Sequence, residues 1–418
     1  MKMNNLLKAP LMIMGKQGAK DTACRRHLLL GKRSGEAVRV RSVFMGYEVH
    51  AGNGWVNRGN LYRMKDLMRR AEQGDRMTLA FLGGSITQGA ISSRYTNCYA
   101  YLVYEWFVHR FPKTAFTYVN AGVGGTTSQF GVARVDEDVL HCKPDFVIIE
   151  FSVNDENTAF YRETYEGLVR KVYGNTYCPA VLLVHNMYYD TGVSAEEKHR
   201  EVGAHYRLPS VSMKTTIYPE VASGAIAHRD ITPDDLHPNS DGHALLAEVI
   251  ADCLDRIYMN RWEDEEPFDM PQPLTDNAYE RVKRYQNYNS RPLCNGFTAD
   301  STPKKYVNDM FRCGWTASEK NASIVFDVEG TEIAVQYRKS MTHPAPVAVA
   351  VVDGDEENAV TLDANFDETW GDSLHIDTVA YHIPSGMHRL EIRLRDVHED
   401  EAVPFYLVSV IGAQGGTV

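Results

Sequence analysis

The sequence predicts a two-domain protein: a three-layer α/β/α domain with a parallel sheet, followed by an antiparallel β-sandwich. Three observations lead to this fold class. The chain has 418 residues, which is more than one typical domain holds. Between about residues 60 and 260, short apolar runs alternate with helical patterns, as they do in βαβ units. Beyond about residue 290 the apolar period changes to two, which is typical of strands with one buried face.

The predicted α/β domain covers residues 59–262. Its strand-like runs are rich in Val, Ile, Leu and Phe, as expected of parallel strands buried on both faces. These runs lie at 78–82, 115–119, 145–151, 180–184 and, with a weaker signal, 208–213. Apolar residues at helical spacing fill the intervals, from a helix at 60–73 to a last helix at 240–258. This alternation implies a sheet with helices on both faces.

An acidic, proline-containing segment separates the two predicted domains. Residues 263–290 begin with Glu263-Asp264-Glu265-Glu266-Pro267, which predicts a linker. In residues 291–418, apolar and polar side chains alternate at 324–328, 333–337, 347–351 and 390–394. Turn signals such as Asp353-Gly354 separate these runs, and together they predict the β-sandwich.

The charge of the chain is negative overall but positive at its start. A net charge of −11 argues against a nucleic-acid partner and against attraction to anionic membranes. Residues 1–42 nevertheless carry ten basic and two acidic side chains, a net of +8. Residues 1–58 are therefore interpreted as a basic N-terminal arm with a short strand at 43–49. The sequence leaves a homo-oligomer open.

Targeting and redox signals are sparse in this sequence. No apolar run approaches the ~20 residues that span a bilayer, and the run Leu11–Met14 is shorter than the ~7–15 residues of a signal-peptide core. The seven cysteines are odd in number and form no Cys-x-x-Cys pair, so they predict neither a zinc ribbon nor a disulfide framework. The expected location is the cytoplasm.

A glycine turn ends the first predicted strand of the parallel sheet. The strand at 78–82 runs into Gly83-Gly84-Ser85. Glycines permit a tight turn that exposes the next side chain at the carboxyl edge of the sheet, where open α/β sheets bind ligands. Ser85 is therefore a candidate nucleophile, provided that a base and an oxyanion site lie nearby. The alternative is an ordinary βα turn in which Ser85 caps a helix.

A second group of reactive side chains precedes the last helix. Asp234 and His237 lie three residues apart in Asp234-Asp235-Leu236-His237-Pro238. A carboxylate in such a turn can accept the imidazole Nδ1–H, which leaves the other ring nitrogen free to take a proton from a hydroxyl. Asp235 is a rival for the orienting role. A structural Asp–His pair is the alternative interpretation.

Two further strand ends offer N–H donors. The run Gly122-Val123-Gly124-Gly125 can present backbone N–H groups, and Asn154 offers a side-chain amide after the next strand. Donors aimed at one point stabilise a tetrahedral oxyanion, each by ~3–4 kcal/mol. The glycine run has Thr127 where a dinucleotide loop has its third glycine, and Gly83–Gly89 lacks the Gly-Lys-Ser/Thr ending of a P-loop. Nucleotide binding is therefore discounted.

Four blocks occur in the order found in a known family. They are Gly83-Gly84-Ser85-Ile86-Thr87, Asn120–Thr127, Val153-Asn154-Asp155 and Asp234-x-x-His237-Pro238. Over about residues 75–255 this ordered set resembles the SGNH (GDSL-like) hydrolase family. Two departures occur: Gly84 stands where many members have Asp, and Ser152 where many have Gly.

The resemblance implies a flavodoxin-like α/β/α fold and a role for each matching residue. Ser85 is expected to be the nucleophile, His237 the general base and Asp234 its orienter. The backbone N–H groups of Ser85 and Gly125 and the side-chain amide of Asn154 are expected to form the oxyanion hole. Neither departure from the family pattern removes a reacting group.

A narrower group is similar to the whole of residues 60–418. The segments Phe81–Gly89 and Asp234–His243 and the following sandwich resemble two-domain bacterial carbohydrate esterases of the family-17 type, which act on acetylated mannan oligosaccharides. The resemblance implies a serine esterase that removes O-acetyl groups from an acetylated oligosaccharide, with no metal or organic cofactor. Members of this group work inside the cell on imported oligosaccharides, in agreement with the cytoplasmic expectation.

Aromatic and imidazole side chains outside these blocks are weaker candidates. Trp315 and Trp370 are candidate stacking platforms for a pyranose ring, with core packing as the alternative. The remaining histidines are scattered and are interpreted as structural or surface residues, namely His185, His205, His228 and His243.

Two other functions are compatible with the same motifs. One is a lipid or acyl-thioester hydrolase of the GDSL type, although no long exposed apolar segment indicates an acyl groove. The other is a catalytically inactive sugar-binding protein. The chain retains all five residues of the expected triad and oxyanion hole, which argues against this alternative.

Overall fold

The computed structural model describes residues 42–44, 47–398 and 403–415. Most of the predicted basic arm, residues 1–41, lies outside these ranges. Where the sequence predicts one strand at 43–49, two short strands, β1 (Ser42–Phe44) and β2 (Tyr47–Val49), pair antiparallel. The Tyr47 hydroxyl donates a 2.9 Å hydrogen bond to Asp230, so this segment contacts the α/β domain.

The described residues of the α/β domain form a six-stranded sheet. Its strands are β3 (Trp55–Asn57), β4 (Met77–Gly83), β5 (Phe116–Gly122), β6 (Phe146–Glu150), β7 (Ala180–His185) and β8 (Ser210–Ser212). Their order is β3-β8-β7-β6-β4-β5, and β4 to β8 are all parallel. This is the flavodoxin-like order, and the predicted fold class is confirmed. Strand β3, which pairs antiparallel with β8, is too short to show a period in the sequence.

Helices cover both faces of this sheet. Those in the described residues are α1 (Tyr62–Gln73), α2 (Ser85–Gln88), α3 (Tyr99–Arg110), α4 (Ser128–Asp138), α5 (Ala159–Tyr173), α6 (Glu196–His205), α7 (Ile217–Ala222), α8 (His228–Ile231) and α9 (Ser240–Met259). Leu79 and Phe81 of β4 pack towards α1, α3 and α9, whereas Ala80 and Leu82 pack towards α4, α5 and α6. Because both faces are covered, the four successive residues Leu79–Leu82 are all apolar and buried.

Two findings bear on the targeting and redox expectations. Within the described part of the chain, no helix combines the length and apolar character needed to cross a membrane. The six cysteines in that part are all free thiols.

The C-terminal half forms two antiparallel sheets. Their strands are β9 (Arg281–Tyr285), β10 (Leu293–Asn295), β11 (Thr298–Ala299), β12 (Trp315–Ala317), β13 (Ser323–Gly330), β14 (Glu332–Lys339), β15 (Val347–Val352), β16 (Val360–Asp363), β17 (Ser373–Ala380), β18 (Gly386–Asp396) and β19 (Phe405–Gln414). One sheet has the order β10-β13-β18-β15-β16. The other has the order β11-β12-β19-β14-β17, with β9 paired to β19. The predicted β-sandwich is confirmed, and β9 lies inside the segment predicted as a linker.

Strand β19 has no alternating pattern in the sequence, because it is buried on both faces. Leu407 and Val410 enter the core between the two sheets, while Ile411 packs against Phe130 of α4. All of its residues from Phe405 to Ala413 are buried. The period-two signal that identifies one-sided strands is therefore absent.

The sandwich packs against the start of α4 and α5. The Gln129 side-chain amide donates to Thr378 of β17 at 2.8 Å, and the Tyr381 hydroxyl donates to Glu163 of α5 at 2.9 Å. Helices α4 and α5 begin a few residues after β5 and β6 end. The sandwich therefore lies beside the carboxyl edge of the parallel sheet, where the predicted site residues are found.

Candidate active site

The turn after β4 places Ser85 at the first position of α2. Gly84 occupies the N-cap position with φ −86° and ψ −149°, so Ser85 is not the cap residue of the alternative interpretation. A Cβ added to Gly84 would lie 2.1 Å from Oδ1 of Asn154. The absence of a side chain at this position therefore allows the turn to pack directly against the Asn154 amide.

Ser85, His237 and Asp234 form a continuous chain of hydrogen bonds. The distance from Ser85 Oγ to His237 Nε2 is 2.8 Å, and that from His237 Nδ1 to Asp234 Oδ2 is 2.7 Å. The other oxygen of Asp234 accepts the backbone N–H of His237 at 2.7 Å. The carboxylate thus fixes both the ring and the backbone of the histidine, and Nε2 faces the serine hydroxyl.

The two neighbouring aspartates in this turn have different partners. Burial on its own raises the pKa of the Asp234 carboxyl, but the hydrogen bonds from the His237 ring and backbone outweigh it, so the net pKa is lowered. Asp235 instead accepts from Arg229 at 2.7 Å and lies 3.2 Å from His228. Asp234, and not its rival, is the residue in contact with the imidazole.

The glycine loop after β5 leaves one N–H group free. The N–H groups of its first three residues bind inside the protein: that of Gly122 to the Asn120 side chain, that of Val123 to the Gly83 carbonyl and that of Gly124 to the Gln88 side chain. The N–H of Gly125 has no acceptor among the described residues, and its φ of +68° is one that glycine adopts easily.

Three N–H donors without a described acceptor belong to the turns around the serine. They are the backbone N–H of Ser85, the backbone N–H of Gly125 and the side-chain NH₂ of Asn154. A Cβ on Gly124 would lie 3.5 Å from the Ser85 Cβ, which brings the glycine loop next to the serine. The arrangement can stabilise negative charge on an oxygen bound at this edge of the sheet.

Comparison with known proteins assigns the chain to a family. The model of the GDSL-like lipase/acylhydrolase family matches residues 81–245. Two crystal structures of a two-domain esterase (CEX) active on acetylated mannans are each 56% identical to this chain, and one was co-crystallized with mannopentaose. They cover 89% and 88% of this chain and 100% of their own, with TM-scores of 0.86 and 0.87. The chain belongs to the GDSL-like lipase/acylhydrolase family.

The family prediction made from the four sequence blocks is thereby confirmed. The GDSL-like family consists of hydrolases of the serine type. No curated protein sequence matches the chain significantly.

This GDSL-like hydrolase also contains a buried aspartate that sequence reasoning missed. Asp155 accepts the backbone N–H of Ser128 at 2.8 Å and contacts Nε2 of His199 at 3.0 Å. The His199 ring stacks on Tyr165 with centroids 3.6 Å apart. Asp155 therefore ties the start of α4 to the turn that contains Asn154. Its position in the third block was visible in the sequence, but its partner lies 44 residues away.

A second buried carboxyl in the hydrolase, that of Glu150, lies at the end of β6 and accepts from the Thr87 hydroxyl at 3.5 Å. Burial raises the pKa of Glu150 to about 7, although hydrogen bonds from Asn186 and Ser152 act in the opposite direction. Two histidines are fully buried as well: burial lowers the pKa of His243 to about 4 and that of His185 well below its ordinary value. Of the four histidines interpreted from the sequence as structural or surface residues, these two are 0% exposed.

The two tryptophans of the sandwich differ in exposure. Trp315 is 2% exposed and packs edge-on against Phe326 in the core between the sheets, so its prediction as a stacking platform is wrong. Trp370 is 58% exposed and contacts Phe366 edge-on, with centroids 5.2 Å apart. Trp315 lies in a three-residue strand, where the sequence does not show which face points inward.

Gly84→Ala is expected to lower kcat on p-nitrophenyl acetate roughly tenfold to a hundredfold in this hydrolase. The added Cβ would collide with Asn154 Oδ1, so the amide must move. The oxyanion would then lose part of the ~3–4 kcal/mol of stabilisation that one such donor provides. The measurement is kcat at a temperature well below unfolding. Gly386→Ala is the control, because a Cβ there meets nothing within 4 Å. Equal kcat values for both variants would contradict the expectation.

Proposed function

We propose that this chain is a serine esterase that removes O-acetyl groups from acetylated manno-oligosaccharides. The observation that carries the proposal is the 56% identity, over the full length of the related chain, to a two-domain esterase active on acetylated mannans. The hydrogen-bonded chain of Ser85, His237 and Asp234 supplies the chemistry that such a reaction needs.

In the proposed reaction, Ser85 Oγ attacks the acetyl carbonyl carbon while its proton passes to His237 Nε2, 2.8 Å away. The carbonyl oxygen becomes an oxyanion, which the N–H groups of Ser85 and Gly125 and the amide of Asn154 stabilise. The bond between the carbonyl carbon and the sugar oxygen then breaks, and His237 returns the proton to that oxygen. A water molecule then attacks the acetyl-enzyme and gives its proton to His237. The bond between the carbonyl carbon and Ser85 Oγ breaks, the proton returns to Oγ, and acetate is released.

Asp234 has an orienting role in this scheme. Its carboxylate accepts Nδ1–H of His237 at 2.7 Å, so the unprotonated nitrogen of the neutral ring is the one that faces Ser85. The same carboxylate stabilises the imidazolium that forms after proton transfer. No step of this scheme requires a metal or an organic cofactor.

Mass spectrometry of acetylated manno-, xylo- and chito-oligosaccharides before and after treatment tests the proposal. Loss of acetyl groups from the mannan series at the highest kcat/KM is expected. Hydrolysis rates on p-nitrophenyl esters from acetyl to octanoyl test the lipase alternative, since an acyl groove would favour the longer chains. A folded protein that releases no acetate and is not labelled by a fluorophosphonate would leave only a sugar-binding role.

Trp370 is proposed as a sugar-stacking residue of this esterase. It precedes Leu374 of β17 by four residues, at most about 14 Å of chain. Leu374 packs against the apolar cluster that contains Phe130 of α4, and Phe130 lies three residues after the end of the glycine-rich block. An exposed aromatic ring is therefore attached to the strand that contacts the helix following Gly125.

Trp370→Ala is expected to raise KM for an acetylated manno-oligosaccharide roughly fivefold to thirtyfold, since loss of ring stacking removes ~1–2 kcal/mol of binding. Turnover of p-nitrophenyl acetate, which has no sugar, should stay unchanged. Trp262→Ala is the matched control: this tryptophan is 62% exposed but lies beyond the far end of α9, about 30 Å along the helix from Ser240. Equal effects of Trp370→Ala on both substrates would contradict a stacking role.

A further inference from the structure

A buried arginine joins the two strand ends that precede the nucleophile turn and the glycine loop. Arg134 of α4 has a side chain that is 1% exposed. Its Nη1 donates to the carbonyl of Ala121 at 2.7 Å, and its Nη2 donates to the carbonyl of Gly83 at 3.1 Å. Gly83 lies two residues before Ser85, and Ala121 lies four residues before Gly125. One planar group thus contacts both segments that supply backbone donors to the candidate oxyanion hole.

The charge of this guanidinium is balanced inside the protein. Asp138, one helical turn further along α4, accepts from Nη1 at 2.9 Å. Burial lowers the pKa of Arg134, and the nearby Asp138 carboxylate acts in the opposite direction. Replacing a buried ion pair by apolar residues is often neutral or stabilising, so stability alone does not explain this pair. The geometry of the guanidinium explains the arginine, because its rigid, planar N–H groups can bind two carbonyls held at a fixed separation.

The sandwich reaches the same carboxylate. Lys304, in the segment between β11 and β12, places Nζ 3.6 Å from Oδ1 of Asp138, while Oδ2 binds Arg134. Met310 of the same segment packs against the apolar cluster around Phe130. Asp138 is therefore shared between a side chain of the sandwich and the arginine beneath the site.

We infer that Arg134 is a positioning residue, which holds the Ser85 turn and the Gly125 loop at the spacing that oxyanion stabilisation requires. Lys304 supports it from the sandwich through Asp138. The sandwich then acts on the rate of the chemical step as well as on sugar binding, and it does so without touching the substrate at this point.

Arg134→Lys tests the inference. A lysine retains the positive charge but has a single nitrogen on a flexible stem, so it cannot hold both carbonyls in the arginine geometry. We expect kcat on p-nitrophenyl acetate to fall at least tenfold while KM changes less than twofold. The rate of phosphonylation by a fluorophosphonate should fall by a similar factor, because that reaction also places a charged oxygen in the same hole.

Three further variants complete the test. Lys65→Met removes an equally buried cation, 1% exposed and 3.1 Å from Glu265, on the opposite face of the sheet. This control should lower the unfolding temperature without changing kcat. Asp138→Asn should lower kcat in the same direction as Arg134→Lys. Lys304→Ala should lower it about twofold to fivefold, with little change in unfolding temperature because the side chain is partly exposed.

The outcomes separate this inference from the proposed function on which it rests. An inactive wild-type protein would refute the proposed esterase function. If the wild type is active and folded Arg134→Lys has the same kcat and the same phosphonylation rate, only the positioning role of Arg134 is overturned. If Arg134→Lys does not fold, Asp138→Asn decides: an unchanged kcat overturns the inference and a reduced kcat with unchanged KM supports it. An unchanged kcat in Lys304→Ala overturns the link to the sandwich.

Discussion

Ser85→Ala is expected to lower kcat for acetyl-ester hydrolysis by a factor on the order of 10⁵–10⁶, since removal of a nucleophile that acts as a unit with its base loses nearly all covalent catalysis. The residual rate would come from the donors that remain around the ester carbonyl. The measurements are acetate release and covalent labelling by a fluorophosphonate. Both should be lost together, while the unfolding temperature stays close to that of the wild type.

The control for this variant is Ser93→Ala. Ser93 is an exposed serine eight residues further along the chain; its hydroxyl lies 2.8 Å from that of Ser240 and accepts from the Asn97 amide at 2.9 Å. This substitution should leave both acetate release and labelling intact. Labelling of the Ser85→Ala variant at the wild-type rate would show that another residue is the nucleophile.

Asp234→Asn is expected to lower kcat by about 10³–10⁴, because an amide can present an N–H to the ring and favour the wrong histidine tautomer. In that tautomer Nε2 already carries a hydrogen, so it has no lone pair with which to accept the proton of Ser85. The hydrogen bonds from His237 lower the pKa of the Asp234 carboxyl despite its burial, so the carboxylate is charged at neutral pH and the loss should be seen there. Steady-state kinetics on p-nitrophenyl acetate are the measurement.

Asp235→Asn is the matched control for the second prediction. Asp235 is the adjacent carboxylate, and it contacts Arg229 and His228 instead of the His237 imidazole. Its φ of +66° is one that asparagine tolerates well. The expected change in kcat is less than fivefold. A larger loss of kcat in Asp235→Asn than in Asp234→Asn would show that Asp235, and not Asp234, orients the His237 ring.

The candidate catalytic residues could be predicted from the sequence because each of them follows a strand or precedes a helix. Ser85, Gly125 and Asn154 come directly after buried apolar runs, and carboxyl ends of parallel strands meet at one edge. The spacing of Asp234 and His237 is local, so their contact also follows from the sequence. The structure brings the serine, the histidine and the aspartate together as expected.

The supporting residues could not be predicted in the same way, because their partners are distant in the chain. Arg134 binds the carbonyl of Gly83, 51 residues earlier, and Asp155 binds His199, 44 residues later. Neither contact leaves a pattern in the sequence. Trp315 failed for a different reason: a short strand does not reveal which of its side chains face the core.

Strand β19 makes the sandwich inseparable from the enzyme. Its Ile411 covers Phe130 of α4, while its Val410 belongs to the interior between the two sheets. A chain cut after residue 262 would expose the apolar surface of the helix that also holds Arg134. The C-terminal half therefore cannot be deleted or transferred as an independent domain. Truncated forms are expected to aggregate, so their activity would not report on catalysis.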